Sequence, residues 1–372
     1  MGNHLVGYAA PPAAVAGDRA YLNRMLGDMV AAGASDLHLT AAAPPTVRVH
    51  GSLGRLAGYD QLSPGDTTML VRAACDPEQL AKFERDHELD FAYSVEGVSR
   101  FRVNAYVQRG SYGAVFRAIP AEIRPLEDLG VPAGVASFAQ LQRGLVLVTG
   151  ATGSGKSTTL ASLLDLANRN RAGHIVTIED PIEFLHPHKR SLVNQREVGS
   201  DTASFSAALR HALRQDPDII LVGELRDPET TATALTAAET GHLVMATLHT
   251  QSAVQTIDRI LDMYPPHQQG QVRSQLSATL QGVVSQALCK RADGRGRVLI
   301  AEVMTATSAI RSLIREGKTM QIPTFMQAGT GDGMVSFDQS LAERVAHQVI
   351  NYQDAIALAH SPDDFKRLTG RA

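Results

Sequence analysis

Four short, densely apolar runs in the second half of the chain constrain its fold more than any other feature. The runs are GLVLVTG (144–150), HIVTIED (174–180), DIILVGE (218–224) and HLVMATLH (242–249). Segments of ten or more residues with helical character separate them. Strands that alternate with helices in this way form parallel sheets covered on both faces. Residues 138–372 are therefore predicted to form an α/β domain with a mainly parallel sheet, mostly helical after residue 253.

The loop after the first run predicts a phosphate-binding site. Its sequence, GATGSGKST, satisfies G-x-x-x-x-G-K-[ST], with a predicted strand before it and a predicted helix after it. The glycines let backbone N–H groups surround a polyphosphate, and the positive end of the helix faces the same anion. Lys156 supplies a charge for the β- and γ-phosphates, and the Ser157 hydroxyl can ligate Mg²⁺. The predicted ligands are ATP and Mg²⁺, and the predicted nucleotide-binding residues are Gly150, Ala151, Thr152, Gly153, Ser154, Gly155, Lys156, Ser157 and Thr158.

Acidic residues end two of the other runs. Glu179 and Asp180 end the second run and Glu183 follows it, while Glu224 ends the third run and Asp227 follows it. The carboxyl ends of parallel strands face the same crevice as the phosphate loop. Metal-assisted phosphoryl transfer needs carboxylates there to hold Mg²⁺ and to orient the attacking water. Any one of these acids alone would more often be a helix cap or a surface charge, but their shared position favours the catalytic interpretation.

Two histidines bracket the fourth run. His242 begins the predicted strand, and a hydrogen bond at the strand edge would explain it. His249 ends the strand, where a sensor of the γ-phosphate would lie. A nucleotide contact and a structural role are both open for His249.

Residues 19–120 predict a smaller α+β unit. RAYLNRMLGDMVAAG (19–33) has helical spacing that can stop at Gly33, and residues 64–85 predict two short helices broken near Pro77. Alternating runs before and after these helices predict antiparallel strands. The segment 121–137 contains prolines and glycines and is interpreted as a linker, and residues 1–18 as a flexible tail.

Charge and cysteine content limit the function classes. A net charge of −3 argues against a basic field over the whole molecule, and the basic cluster CKRADGRGR is better interpreted as a solvated hairpin turn. Cys75 and Cys289 are far apart and form no CxxC pair, so neither a zinc ribbon nor a disulfide framework is expected. No apolar stretch approaches the ~20 residues of a spanning helix. We expect a cytoplasmic protein that binds no nucleic acid and reaches a membrane only through a partner.

Four boxes in order give the chain a specific resemblance. It resembles the ATPases of type II and type IV secretion systems, and within them the pilus-retraction ATPases, over roughly residues 20–355. The four boxes are GATGSGKST, TIEDPIEF, IILVGELRD and TGHLVMATLHT, and further matching segments are SDLHLT, PPTVRVHG, RFRVN, GAVFR and AIRSLIREGK. One departure is Ser312, where the family has asparagine. Residues 359–372 fall outside the shared pattern.

The resemblance implies a homo-hexamer with ATP between neighbouring subunits. It implies a PAS-like domain at 19–120, a RecA-like domain at 138–372 and a partner that is a platform protein of the inner membrane, at whose cytoplasmic face the motor would work. The catalytic residues that it implies are Glu179, Glu224, Arg102, Arg117, His249 and His242, and the magnesium ligands, partly through water, are Ser157, Glu179 and Glu224. Arg102 and Arg117 match arginines that the first domain lends to the active site. Arg109 lies in VQRGSYG, which departs from the family pattern.

Retraction of type IV pili is the function that the resemblance favours. Extension and secretion members are longer and carry a four-cysteine zinc site, which two cysteines cannot supply. Three alternatives are open: the motor of a secretion machine without pili, a DNA translocase, and a regulatory nucleotide-binding module without turnover.

Overall fold

The computed structural model describes residues 13–49, 51–120 and 122–371. The chain divides into two compact units, Met1–Ala121 and Glu122–Ala372. Helix α1 begins at Ala13, inside the segment 1–18 that we expected to be a tail. The run of alanines there favours a helix, and residues 1–12 lie outside the described part of the chain.

The first unit is an antiparallel sheet with helices, as predicted. Its elements are α1 (Ala13–Ala31), β1 (Asp36–Leu39), β2 (Thr46–Val49), β3 (Ser52–Arg55), α2 (Pro64–Ala74), α3 (Pro77–Asp86), β4 (Glu88–Val95), β5 (Ser99–Gln108) and β6 (Ser111–Ala118). The strand order in the described residues is β3-β2-β1-β6-β5-β4. Alternation along β5 buries Phe101 and Val103 and exposes Arg102. Gly33 has φ +67° just after α1, which confirms it as the predicted stop.

The second unit has the predicted α/β architecture. Its elements are β7 (Gly144–Thr149), α4 (Lys156–Asn170), β8 (His174–Glu179), β9 (Leu192–Glu197), α5 (Phe205–Ala212), β10 (Ile219–Val222), α6 (Pro228–Glu239), β11 (Leu243–Leu248), α7 (Ala253–Asp262), α8 (Pro266–Thr279), β12 (Leu280–Lys290), β13 (Arg297–Thr305), α9 (Ser308–Glu316), α10 (Ile322–Ala328), α11 (Phe337–Ala346), α12 (Tyr352–Leu358) and α13 (Pro362–Leu368). The strand order in the described residues is β13-β12-β7-β11-β10-β8-β9. Only β13 is antiparallel to its neighbour within this described sheet.

The prediction that the chain is mostly helical after residue 253 was wrong for residues 280–305. These residues form the hairpin of β12 and β13, in which β12 lies beside the buried strand β7. Valines such as Val283, Val284 and Val303 are buried there and fit a pleated surface. Residues 291–296 of the basic cluster form the turn of this hairpin, as predicted, whereas Cys289 is buried in β12.

The segment interpreted as a linker is packed into the second unit. Two 3₁₀ turns, Leu126–Leu129 and Ala133–Gln140, occupy most of it. Their side chains Leu126, Val135 and Phe138 are buried in the core that also holds β7 and α4. These buried apolar side chains make the two turns part of the α/β core. The prolines and glycines of the segment had indicated a linker instead.

Candidate functional site

The phosphate loop joins β7 to α4, which begins at Lys156. Gly150, Gly153 and Gly155 have φ values of +140°, +79° and +93°, a region in which residues with a Cβ are strained. A Cβ on Gly150 would also lie 2.3 Å from the carbonyl oxygen of Gln286 and 2.6 Å from Ser154 Oγ. Glycine is therefore required at position 150 both for its φ value and because β12 passes so close.

Lys156 is folded back into its own loop. Its Nζ donates to the carbonyl oxygens of Gly150 at 2.8 Å and Ala151 at 3.0 Å, and the residue is 9% exposed. Burial lowers the pKa of Lys156, and the charge of Glu224 opposes that shift. Ser157 is exposed in the first turn of α4. A buried lysine whose partners are carbonyl dipoles can exchange them for the charged oxygens of a phosphate.

Glu224 lies just beyond β10, at the same edge of the sheet. A Cβ on the preceding Gly223 would lie 3.3 Å from the carbonyl oxygen of Ile178, so the glycine lets β10 and β8 approach closely. Glu224 Oε2 accepts a hydrogen bond from Arg226 Nε at 2.7 Å, and Oε1 lies 3.3 Å from His249 Nε2. The structure thus brings Glu224, His249 and the Lys156 charge together, the grouping expected for His249 at a nucleotide site.

Glu179 ends β8 and has a different environment. It is 9% exposed, and its Oε1 accepts hydrogen bonds from Thr177 Oγ1 at 2.6 Å and Gln195 Nε2 at 3.2 Å. Its Oε2 accepts from the backbone N–H of Glu183 at 3.3 Å. Burial raises the pKa of Glu179, and these hydrogen bonds offset part of that increase. A buried carboxyl held by neutral donors at the edge of the phosphate crevice fits a role at the nucleotide.

His242 lies at the opposite end of β11 from His249. Its Nδ1 is 3.0 Å from the carbonyl oxygen of Ala237 and 3.4 Å from Thr240 Oγ1. The six residues of β11 span about 20 Å. The structure therefore does not bring His242 to the phosphate loop of its own chain, and its bonds at the strand edge are those of the structural interpretation.

Asp227 is a helix cap. Its carboxylate accepts from Thr230 N at 2.8 Å and Thr230 Oγ1 at 2.7 Å at the start of α6. This leaves Glu179 and Glu224 as the candidate acids of the site, while Asp180 and Glu183 are exposed beyond the end of β8.

The candidate arginines lie in the first unit. Arg102 and Arg117 are register partners on β5 and β6, so their side chains leave the sheet on one face. Arg117 Nε donates to the buried Asp36 at 2.7 Å. Burial alone would raise the pKa of Asp36, but hydrogen bonds from Ser35 and Arg117 outweigh it and hold the pKa below its usual value. Arg109 has φ +51° in the two-residue turn between β5 and β6.

Several polar residues around the site were not predicted. Thr177 and Gln195 contact Glu179, and Gln286 Nε2 donates to Thr159 Oγ1 at 2.7 Å beside the phosphate loop. Thr177 carries a sequence signal, since it stands two residues before Glu179 in one strand and must face the same side. Gln195 and Gln286 lie on β9 and β12, which the apolar pattern did not reveal.

The described ranges contain neither a protein-only metal cage nor a spanning helix. No group of three or more histidine, cysteine, aspartate or glutamate side chains there is placed to hold a metal ion. Nor is any helix of the described ranges long and apolar enough to cross a bilayer.

Comparison with known proteins identifies the family. Residues 131–348 match the family model described as type II/IV secretion system protein. The chain is 51% identical to the type IV pilus retraction ATPase PilT of Pseudomonas aeruginosa over 90% of this chain and 96% of that one. It is 47% identical to a twitching motility protein of Neisseria gonorrhoeae over 83% of each chain.

The fold gives the same result. A crystal structure of the pilus retraction motor PilT with bound ADP superimposes with a TM-score of 0.86, at 47% identity, over 93% of this chain and 98% of that one. That structure has a RecA-like ATPase fold, as the second unit does here. With its phosphate loop intact and a match that spans both units, the chain belongs to the type II/IV secretion system protein family and is a nucleotide-binding ATPase of that family.

Proposed function

We propose that this protein is the ATP-driven motor that retracts type IV pili. The observation that carries the proposal is the 51% identity to PilT over 90% of this chain and 96% of that protein. Hydrolysis would open and close an interface between subunits, and a ring of such steps would remove pilin subunits from the base of the fibre. Pilin disassembly driven in this way supports twitching motility.

The residues of the second unit fit Mg·ATP. The loop N–H groups and Lys156 would bind the β- and γ-phosphates. Mg²⁺ usually keeps several waters and is held by one or two carboxylates together with substrate phosphates. The donor set of Ser157, Glu179 and Glu224 matches this coordination. Bound there, the ion would neutralise charge on the phosphates, while Glu224 orients the attacking water and His249 holds Glu224.

The working form that we propose is a homo-hexamer. Arg102 and Arg117 would reach the phosphates bound by a neighbouring subunit, since a planar guanidinium stabilises charge on a transferring phosphoryl group. The load would be a platform protein of the inner membrane, contacted from the cytoplasmic face. Binding to nucleic acid is not part of the proposal.

A deletion strain tests the function directly. Loss of the gene should give cells that do not twitch and carry more pili than wild type, and the wild-type gene should restore both. Complementation with Lys156→Ala should restore neither, because binding of the phosphates is lost. Cells without pili would instead indicate an extension motor, and unchanged pili and motility would contradict a pilus function.

Mixed subunits test the shared site. Arg102→Ala subunits and Lys156→Ala subunits should each be inactive alone, and mixing them should partly recover turnover if the arginine acts on a neighbour's nucleotide. Arg102 is the better probe because truncating Arg117 also removes the partner of buried Asp36. Recovery at no mixing ratio would contradict sharing between subunits.

A further inference from the structure

Three polar side chains of the second unit lie together on one face of the sheet, and one of them belongs to no recognised box. Thr177 and Glu179 are two residues apart on β8, and Gln195 on β9 is the register partner of Thr177. Side chains at positions i and i+2 share a face, as do register partners. The backbone therefore places all three side chains next to one another before any side-chain rotation.

The hydrogen bonds divide the two oxygens of Glu179. Oε1 accepts from Thr177 Oγ1 at 2.6 Å and from Gln195 Nε2 at 3.2 Å. Oε2 accepts one longer bond, from the N–H of Glu183 at 3.3 Å. A carboxylate oxygen has about two acceptor sites. Oε1 is therefore fully used by the protein, whereas Oε2 retains acceptor capacity.

Contacts with the loop after β8 fix the orientation of the Gln195 amide. Gln195 Oε1 accepts from the N–H of His186 at 2.8 Å, and Nε2 also donates to the carbonyl oxygen of Phe184 at 2.8 Å. Reversing the amide would set an oxygen against the Phe184 carbonyl and the Glu179 carboxylate and an N–H₂ group against the His186 N–H. The donor side of Gln195 must face Glu179.

We propose that Thr177 and Gln195 are positioning residues that hold Glu179 by Oε1 and leave Oε2 for the hydrolytic reaction. The proposal rests on the role of Glu179 in the proposed function. Two bonds from side chains of two strands restrain rotation of a buried carboxylate that has no charged partner among the described residues. Gln195 thereby makes the sheet edge strand β9 part of the hydrolytic site.

Thr177→Val tests the hydroxyl without touching the loop contacts of Gln195. The variant keeps the side-chain shape, and Thr177→Ser, which keeps the hydroxyl, is the matched control. Thr177→Val should lower kcat by about 10–100-fold and Thr177→Ser by little. The Kd for a fluorescent ADP analogue and the thermal unfolding midpoint should stay near wild type in both, since neither side chain holds the nucleotide itself.

Gln195→Glu tests the second donor. It preserves the acceptor for the His186 N–H and replaces the donor that faces both Glu179 and the Phe184 carbonyl by an oxygen. It should lower kcat at least as much as Thr177→Val, again with little change in nucleotide Kd. A loss of nucleotide binding and stability in step with kcat in Thr177→Val, or a Thr177→Ser variant as impaired as Thr177→Val, would overturn the positioning role.

A double-mutant cycle separates this inference from the proposed function. If the two residues act through Glu179, then Thr177→Val and Gln195→Glu should cause no further loss of turnover in a Glu179→Gln background. Equal losses in both backgrounds would overturn the inference. An inactive Glu179→Gln with fully active Thr177→Val and Gln195→Glu would overturn the inference alone, whereas a fully active Glu179→Gln would overturn the role of Glu179 in the proposed function.

Discussion

Glu179 and Glu224 end neighbouring parallel strands, yet their surroundings differ. Glu179 is buried, and its hydrogen-bond partners Thr177, Gln195 and the Glu183 backbone are neutral. The side chain of Glu224 is 18% exposed, and its partners are Arg226, which is charged, and His249, which can be. One sheet edge therefore presents one carboxylate fixed by the protein interior and one tied to groups near the surface.

This difference assigns different tasks to the two acids. Several hydrogen bonds inside the protein fix the Glu179 carboxylate, which suits the orientation of a group already in place. Exposed partners with long side chains can be exchanged when a nucleotide enters, and the Lys156 charge is close enough to act on Glu224. We infer that Glu224 reorganises on nucleotide binding and that Glu179 does not.

The largest effect is expected from Glu224→Gln. The amide keeps the size of the side chain but cannot orient or activate water as a carboxylate does, so turnover should fall by about 10²–10³-fold. Nucleotide binding should remain measurable, because Lys156 and the loop are intact. Steady-state hydrolysis measures the expected loss of turnover, and binding of a fluorescent nucleotide measures the expected retention of affinity. Unchanged turnover would contradict the role of Glu224 in orienting water.

Glu179→Gln is expected to lower turnover by about 10²-fold. A matched control is Glu302→Gln on β13, which is 8% exposed and accepts the N–H of Ala253 at 2.7 Å. Burial raises the pKa of Glu302 to about 7, so this carboxyl makes folding less favourable as pH rises from its unfolded pKa towards 7. Glu302→Gln should leave turnover near wild type. The fall in the thermal unfolding midpoint between pH 5 and pH 8 should be smaller in Glu302→Gln than in the wild type. Equal turnover losses in the two variants would show that burying an amide, rather than losing Glu179, is responsible.

The sequence predicted those parts of the site that local patterns encode. The phosphate loop, the four apolar strands and the acids after them follow from residues adjacent in the chain. Gln195 could not be found in this way, because it acts across the β8–β9 pairing and LVNQRE lacks the apolar density of the other strands. The strands β12 and β13 were missed for a similar reason, although the turn between them was predicted, since only the place of β12 beside β7 explains the burial of its polar residue Gln286. The sequence also could not decide whether Asp227 is a catalytic acid or a helix cap. Its hydrogen bonds from Thr230 show that it is a cap.

His249→Ala should lower turnover by about 10-fold, less than either glutamate variant. The ring lies 3.3 Å from Glu224 Oε1 but is itself 48% exposed, so water can replace part of what it supplies. His249→Gln, which can still reach Glu224 with an N–H group, should recover part of the loss. In contrast, His242→Ala should lower thermal stability more than it lowers turnover. Among the described residues, the His242 ring bonds only Ala237 and Thr240, near the start of β11. Equal kinetic losses in His249→Ala and His242→Ala would show that the two ends of β11 do not differ in the way proposed.

Arg226→Ala should have the smallest effect, at most about threefold on turnover. The guanidinium is 60% exposed and its bond to Glu224 spans two residues of one loop, and exposed ion pairs of this kind contribute about 0–1 kcal/mol. Arg226 would compete with a nucleotide-bound cation for Glu224. If release of the Arg226–Glu224 bond limits the reorganisation of Glu224, Arg226→Ala should raise turnover rather than lower it. Steady-state hydrolysis at low and high salt distinguishes the cases, since salt weakens the Arg226–Glu224 pair in the wild type and the variant lacks that pair. A loss as large as that of Glu224→Gln would mean that Arg226 holds Glu224 in its working position, and Glu224 would then be as fixed as Glu179.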